Sequence, residues 1–517
     1  MPVAKDDTIV LSSNNYGELT LNGSTVVCKT SPAPTALSRI IKICNFPKGL
    51  NLTFTKKASN TVTFDSLTLE GADGLSFDGL QFSLPPSSNA VAAIQIGNDA
   101  NKAAPGRATN IQILNSDVLS TKDISLVSSG NTFGISLRDA INIRLANNKI
   151  HGARIGMAIF SDSASVPQNI SHDITVDGNE FVNVQLDAID IDGVDNLKIT
   201  GNLFHEERPL GTINATGNST GATEQHADFI QFQTGKSGQP IDPVTGAVLS
   251  YGQPLTPDQQ AAELAVLNAN LSVHGAVVQD NIMIRGKTDC HEAVIPPSVY
   301  SYNPCRGTQG IFARSFTAEA KAAYASIPEY QRLENSFQDF TITNNLVFVG
   351  DANAIAIDGV SPLATGGNGL TIAHNTAVHQ YNPAPNGLDI LRDAPVPASP
   401  YTITDLERIG CNLSSSATVL ANIADRITKA TVLGCVTTND PVLGNLNFSS
   451  PDYPTFFVNY AAAANPTPAT TVGQVVADLQ PSAASGVPFV NGNPASGFVL
   501  PNGTGNKWYN TLVLSGL

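Results

Sequence analysis

Through most of the chain, apolar residues occupy every second position in short runs, and each run ends at a turn residue. One kind of run reads apolar-x-apolar and closes on an Asn-containing corner, at residues 110–115, 142–148, 173–179, 196–202, 340–345 and 370–375. A second kind starts after a small or polar residue, at 93–96, 134–137, 158–160, 188–191, 229–232, 310–313, 354–357 and 387–390. Period two sends Ile, Leu and Val to one face of a strand and the intervening residues to the other. Asn at a corner tolerates left-handed backbone angles, and its side chain can satisfy corner amides. A sandwich also alternates, but it does not repeat one two-strand unit in fixed order at spacings of roughly 23 to 33 residues. The pattern therefore predicts an all-β fold, a single coil of parallel strands whose core grows lengthwise.

Three regions follow. Residues 1–60 mix apolar runs with turn residues and are expected to cap the first rung, because an open solenoid end exposes strand edges and core. Residues 61–400 carry the repeat, interrupted by insertions at about 235–269 and 286–336. Residues 401–517 lose the repeat and read as an irregular, β-rich C-terminal closure. In the first insertion Thr256 precedes Pro257 and an Ala-rich segment, a helix start with Thr at the N-cap and Pro at N1. Residues 317–325 are also helical in pattern.

Composition narrows the chemistry. Of 517 residues only 14% are charged and 6% aromatic, with 42 Gly, which suits short strands and tight corners. The 28 Lys and Arg against 43 Asp and Glu leave a net charge of −15, which argues against a nucleic-acid partner. No run of about 20 apolar residues suggests membrane insertion. The chain opens on Met1 without an apolar leader-like stretch, so no Sec signal is expected. Six cysteines fall into local pairs, Cys28 with Cys44, Cys290 with Cys305 and Cys411 with Cys435. Nearest-neighbour disulfides are the simplest pairing, and six buried thiols are the plainer alternative. Disulfides without a leader would suit a protein released by lysis.

Stacking the second strands in register predicts two outward columns. Gln95, Ser136, Phe160, Asp190, Gln231, Phe312, Ala356 and Asp389 form one; Gly97, Arg138, Asp162, Asp192, Gln233, Arg314, Asp358 and Leu391 form the other. With rungs about 4.8 Å apart, Asp162, Asp190 and Asp192 would cluster, raising one another's pKa or attracting Ca2+. One carboxyl held protonated beside an ionised one is the equipment of a glycoside hydrolase. The plainer reading is that outward Asp residues solubilise a sheet face. A lyase would instead use Arg314 to neutralise a uronate and His226, near Asp228, as base. Gln231, Gln233, Arg138, Phe160, Phe312 and Asp358 are candidate sugar-binding residues, the aromatics as stacking platforms. The polar cluster at 205–208, from His205 to Arg208, reads as a solvated turn, with a reach into the same cleft as the alternative. No motif for an organic cofactor is present.

The Asn corners and the Gly-Ile-x-Leu strands resemble right-handed parallel β-helix proteins of the pectin-lyase-like superfamily, over about residues 60–400. The segments around residues 452–459 and 478–485 look like the closure found at the end of many bacterial members. That resemblance implies an extracellular polysaccharide-binding or polysaccharide-degrading protein, at a virion tail or secreted. Its tailspike members imply a homotrimer contacting other tail proteins. Secreted lyases and epimerases, and non-enzymatic adhesins, are the rival expectations.

Overall fold

The computed structural model describes residues 5–23, 40–97, 107–120, 132–160, 170–205 except 185, 227–233, 254–268, 272–284, 308–313, 315–333 and 336–349. It further describes shorter stretches between 354 and 447, and residues 453–513 except 465 and 491. Among the described residues, strands assemble into three long sheets of 12, 13 and 12 strands, each coil contributing one strand to each, all parallel except the antiparallel pair of Arg426–Ala430 with Cys435–Thr437 at the end of the second. In one coil, Ala140–Ala146 enters the first sheet, Lys149–His151 the third and Ile155–Phe160 the second. The next coil repeats this with Ser171–Asp177, Glu180–Val182 and Ile189–Asp192. Pairing runs from Thr8–Leu11 at one end to Leu446–Asn447 at the other.

The repeat thus has three strands, not the two that alternation predicts. The missed strand holds three or four residues, offering a single inward side chain such as Ile150 or Phe181, so no period is visible. Ile, Leu, Val and Phe from all three sheets fill one continuous core. Aromatic stacking helps bind rungs inside it, as between Phe181 and Phe204 at 4.8 Å.

The Asn corner divides its two tasks between neighbours. Asn115, Asn147, Gly178, Gly201, Asp280 and Asn344 adopt the left-handed conformation, with φ between 48° and 60°. The residue after each turns inward and is buried. From the second coil of this series onward it is always Asn: Asn148, Asn179, Asn202, Asn281, Asn345, Asn375 and Asn422. Each Asn Oδ1 accepts from the backbone N–H of the equivalent residue one coil back, at 2.8–3.1 Å. Each Nδ2 donates to a first-sheet carbonyl of the preceding coil, as Asn148 does to Ile113 at 2.9 Å. Bending removes the corner amides from sheet pairing, and the Asn column supplies partners that water cannot reach.

The insertion helices form where the pattern expects them, at Pro257–Asn268 and Phe316–Ala323, the first with Thr256 and Gln259 exchanging capping hydrogen bonds. They share a small core with Pro328–Gln331, built on Leu267, Ala320, Tyr324, Tyr330 and Leu333. The buried Glu263 carboxylate accepts a hydrogen bond from Tyr330. No helix among the described residues is long and apolar enough to cross a membrane.

No expected cysteine pair has both side chains among the described residues. Cys44 lies in the Ile40–Phe46 strand and Cys435 opens the Cys435–Thr437 strand, but the side chains of both are outside the described residues. Cys28, Cys290, Cys305 and Cys411 are outside them altogether. The pairings of Cys28 with Cys44, of Cys290 with Cys305 and of Cys411 with Cys435 therefore stay expectations from spacing.

The coil continues past residue 401 to Leu446–Asn447, and the closure is built on short helices such as Tyr460–Ala464 and Val472–Asp478, not the β-rich segment expected. Residues 457–513, apart from 465 and 491, fold back along the outer face of the third sheet, packing Phe457, Val475, Phe498 and Trp508 on Leu203, Ile282, Leu346 and Phe348. The segment hydrogen-bonds to the corners themselves. Asn344 exchanges bonds with Val499, Lys507 donates to Asn147 and Gly178, and Trp508 Nε1 donates to Gly201 O at 2.9 Å. It therefore clasps coils far apart in sequence. Trp508→Ala is expected to destabilise by about 3 kcal/mol, read as a lower denaturant midpoint, with earlier proteolysis of the segment.

Candidate active site

The second sheet carries the predicted columns, and its register is Gln95–Ser136–Ala158–Asp190–Gln231–Phe312–Ala356. The neighbouring column is Gly97–Arg138–Phe160–Asp192–Gln233. Phe160 therefore belongs beside Asp192, not beside Asp190. The predicted alignment slipped by two residues because Ala158 looked like the entry residue of its strand, whereas Gly156 fills that place. A Cβ at Gly156 would approach Ala188 O to 2.6 Å, so coil-to-coil contact keeps the position small. Phe160, not Asp162, is in register with Asp192.

A third column at the strand entrance escaped the alternating pattern. It runs through Ala92, Phe133 and Ile155 and continues by the same register to Asp187, Asp228 and Gln309. Ala188 and Ile189 both face the core, as do Phe229 and Ile230. That break in alternation returns Asp187 and Asp228 to the face carrying Asp190. The signal available in the sequence was the repeated Asp-[small or Phe]-Ile at 187–189 and 228–230.

Four carboxylates are thus gathered on two adjacent coils: Asp187, Asp190, Asp192 and Asp228. They are not solubilising groups. Asp190 is 7% exposed, Asp192 5%, Asp187 3% and Asp228 fully buried. Asp187 Oδ1 accepts from the Asp228 backbone N–H at 3.1 Å, which ties the two coils together at the strand entrance. Gln233 Nε2 donates to Asp190 Oδ1 at 3.0 Å and to Gln231 Oε1 at 2.8 Å. Burial pushes the Asp190 carboxyl up to about 7, and the Asp228 charge adds to the rise. The Gln233 amide and the Ile191 N–H oppose it.

Half-buried aromatics flank the acids. Phe160 is edge-on to Phe133 with centroids 6.0 Å apart, and the Arg138 guanidinium lies 5.1 Å from the Phe160 ring centre. On the other side Phe312 is in register with Gln231. The structure brings together Asp190, Asp192, Asp228, Gln231, Gln233, Phe160, Phe312 and Arg138. Asp162, His226, Arg314 and Asp358 lie outside the described residues. Among the described residues no His, Cys, Asp and Glu group has the arrangement of a metal site.

His205 is neither at this site nor in a solvated turn. It ends the Leu203–His205 strand of the third sheet, buried, with Nε2 2.9 Å from Glu180 Oε1. The His205 bond and charge hold the mostly buried Glu180 carboxyl below its usual range against the cost of burial, which acts the other way and is the largest single influence. A depressed carboxyl stabilises the fold above the unfolded-state pKa, and that contribution disappears as pH falls through the lower folded value. Acidification below about pH 4 is therefore expected to loosen the third sheet at this coil, seen as rising amide exchange around 180–205.

No family model matches the chain, and no curated protein does. Solved structures do resemble it. The surface adhesin PfbA of Streptococcus pneumoniae shares 12% identity over 66% of this chain and 74% of its own, with a TM-score of 0.34. The catalytic domain of a GH87 α-1,3-glucanase, in complex with tetrasaccharides, shares 8% identity over 85% of this chain and 64% of its own, with a TM-score of 0.30. An alginate lyase from Paenibacillus sp. shares 12% over 60% and 85%, with a TM-score of 0.20. The three parallel sheets decide the class. This is a parallel β-helix protein. Fold alone does not assign chemistry to a β-helix, so function has to come from the acidic face.

Proposed function

We propose that the protein is an extracellular polysaccharide-degrading enzyme that hydrolyses glycosidic bonds at the acidic face of the second sheet. The observation carrying this reading is Asp190, buried, hydrogen-bonded to Gln233 and protonated up to about pH 7 among other carboxylates. Such a group can donate a proton to the departing glycosidic oxygen, while an ionised neighbour assists attack by water. Asp192 is our choice for that neighbour. Residues i and i+2 of a strand stand roughly 6.7 Å apart, a spacing that leaves room for water and fits inversion of the anomeric centre. Asp228 is the alternative base. Phe160 and Phe312 offer apolar faces for sugar rings, and Gln231 offers an amide for hydroxyl groups.

The test is a panel of polysaccharides, including host envelope glycans, assayed for new reducing ends and for absorbance near 235 nm, each with and without EDTA. Reducing ends alone, unchanged by EDTA, are expected. Proton NMR of the first-released anomer should show inversion. Added absorbance would replace this reading with a lyase and move interest to His226 and Arg314. Loss with EDTA would make a cation such as calcium at the acidic face part of the site. Binding without cleavage would leave an adhesin. The finer reading, a tailspike-like homotrimer on a virion, rests on the family resemblance; light scattering giving a monomer would remove it.

A further inference from the structure

Gln233 sits one coil beyond Asp192 and in register with it, yet its amide reaches diagonally to Asp190. Its nitrogen lies between two oxygens, Asp190 Oδ1 at 3.0 Å and Gln231 Oε1 at 2.8 Å. With Asp190 ionised, only an NH2 group satisfies both acceptors, and that fixes the orientation of this amide. Two consequences follow from hydrogen-bond accounting. Asp190 Oδ1 is held by the Gln233 amide while the Ile191 backbone N–H also reaches the carboxyl, so the group is fixed in rotation. Gln231 Oε1 is likewise occupied, so Gln231 meets Gln233 through its oxygen and turns its own NH2 elsewhere.

We infer that Gln233 is a positioning residue: it fixes the rotation of the Asp190 carboxyl and orients the Gln231 NH2 as a donor to a sugar oxygen. This inference rests on the hydrolase reading above for its role in turnover, but the arrangement itself can be measured without turnover. Gln233 touches no reacting atom in this scheme and acts through the two residues that it holds. The hydrogen bond to Asp190 also favours the ionised carboxylate, so its removal has a defined sign: the Asp190 midpoint must rise.

The experiment uses the full chain with Gln233→Leu, Gln233→Glu and Gln231→Leu, each checked for native circular dichroism and thermal melting. Asp190 is titrated by carboxyl carbon-13 NMR, its resonance identified by its loss in Asp190→Asn. In Gln233→Leu the midpoint should move to higher pH, and kcat should fall by about 10- to 100-fold with a smaller rise in KM from the released Gln231, as expected for a misplaced acid. The alkaline limb of kcat/KM should move upward with the NMR midpoint. Gln233→Glu keeps the reach but loses the NH2 and adds a negative charge, so it should raise the midpoint at least as far and not restore kcat. Gln231→Leu should mainly raise KM, with the Asp190 midpoint moving less than in Gln233→Leu. A folded Gln233→Leu protein with an unmoved midpoint, or a Gln233→Glu protein with wild-type kcat, overturns the inference. If the wild-type protein cleaves no glycan, the hydrolase reading fails alone, and the carboxyl titration still decides the role of Gln233.

Discussion

Asp190→Asn is expected to lower kcat by about 10²- to 10⁴-fold on whichever polysaccharide the panel identifies, while the coil stays folded. Asn keeps the shape of the protonated carboxyl and can still meet the Gln233 amide, so the loss isolates the proton. The same substitution should make the protein more stable in alkali. Asp190 titrates near 3.8 when exposed and near 7 in the fold, so the native state binds the proton more tightly than the unfolded chain. Stability is therefore fully present below pH 4 and declines as pH rises towards 7. Above pH 7 the wild-type protein bears a buried charge that the Asn variant lacks. Thermal melts of the two proteins should coincide near pH 4 and separate at pH 8, the variant being more stable by on the order of a few kcal/mol. Activity in the wild-type protein should fall as pH rises through about 7, since Asp190 works protonated. Unchanged turnover in the Asn variant would end its assignment as the acid.

The largest loss of stability is expected in the buried Asn column. Asn281 donates from its backbone N–H to Asn345 Oδ1 at 3.1 Å and from Nδ2 to Ile199 O at 2.9 Å and Asn345 Oδ1 at 3.0 Å. Its Oδ1 accepts from the Asn202 backbone and side chain, both at 3.0 Å. Asn281→Ala removes the partners of Ile199 and Asn202 where water does not reach, each costing roughly 1–3 kcal/mol. Because these bonds are coupled along one column, a total near 4 kcal/mol is a reasonable expectation. Asn281→Asp should also destabilise, since it discards the Nδ2 donor and buries a charge beside Asn345 Oδ1. Denaturant melts measure both. An Ala variant within 0.5 kcal/mol of wild type, the usual range for surface changes, would show that the column is dispensable.

Much of the coil was legible because its rules are local. A strand facing both core and solvent must alternate, and a sharp corner must recruit Asn or Gly. Those demands appear in order at 142–148, 173–179 and 196–202. The three-residue third-sheet strands were not legible, since one inward residue makes no pattern. Nor was the shift at Ala158, where Gly156 and not the apparent start of the strand sets the register.

The sequence by itself determined the strand period, the Asn corners, the capped insertion helix and the pairing of Asp190 with Gln231 and Asp192 with Gln233. These follow from neighbours along the chain or from equal positions in a repeat. Only the tertiary structure decided that these Asp side chains are buried, that Asp187 and Asp228 join them, and that Gln233 reaches across to Asp190. It also decided that residues 457–513 clasp the corners of the third sheet. Burial and diagonal contact depend on what packs over a face and on where alternation breaks. Neither quantity is carried by a residue and its neighbours in sequence, so the chemistry of the face emerges only when the coils stack.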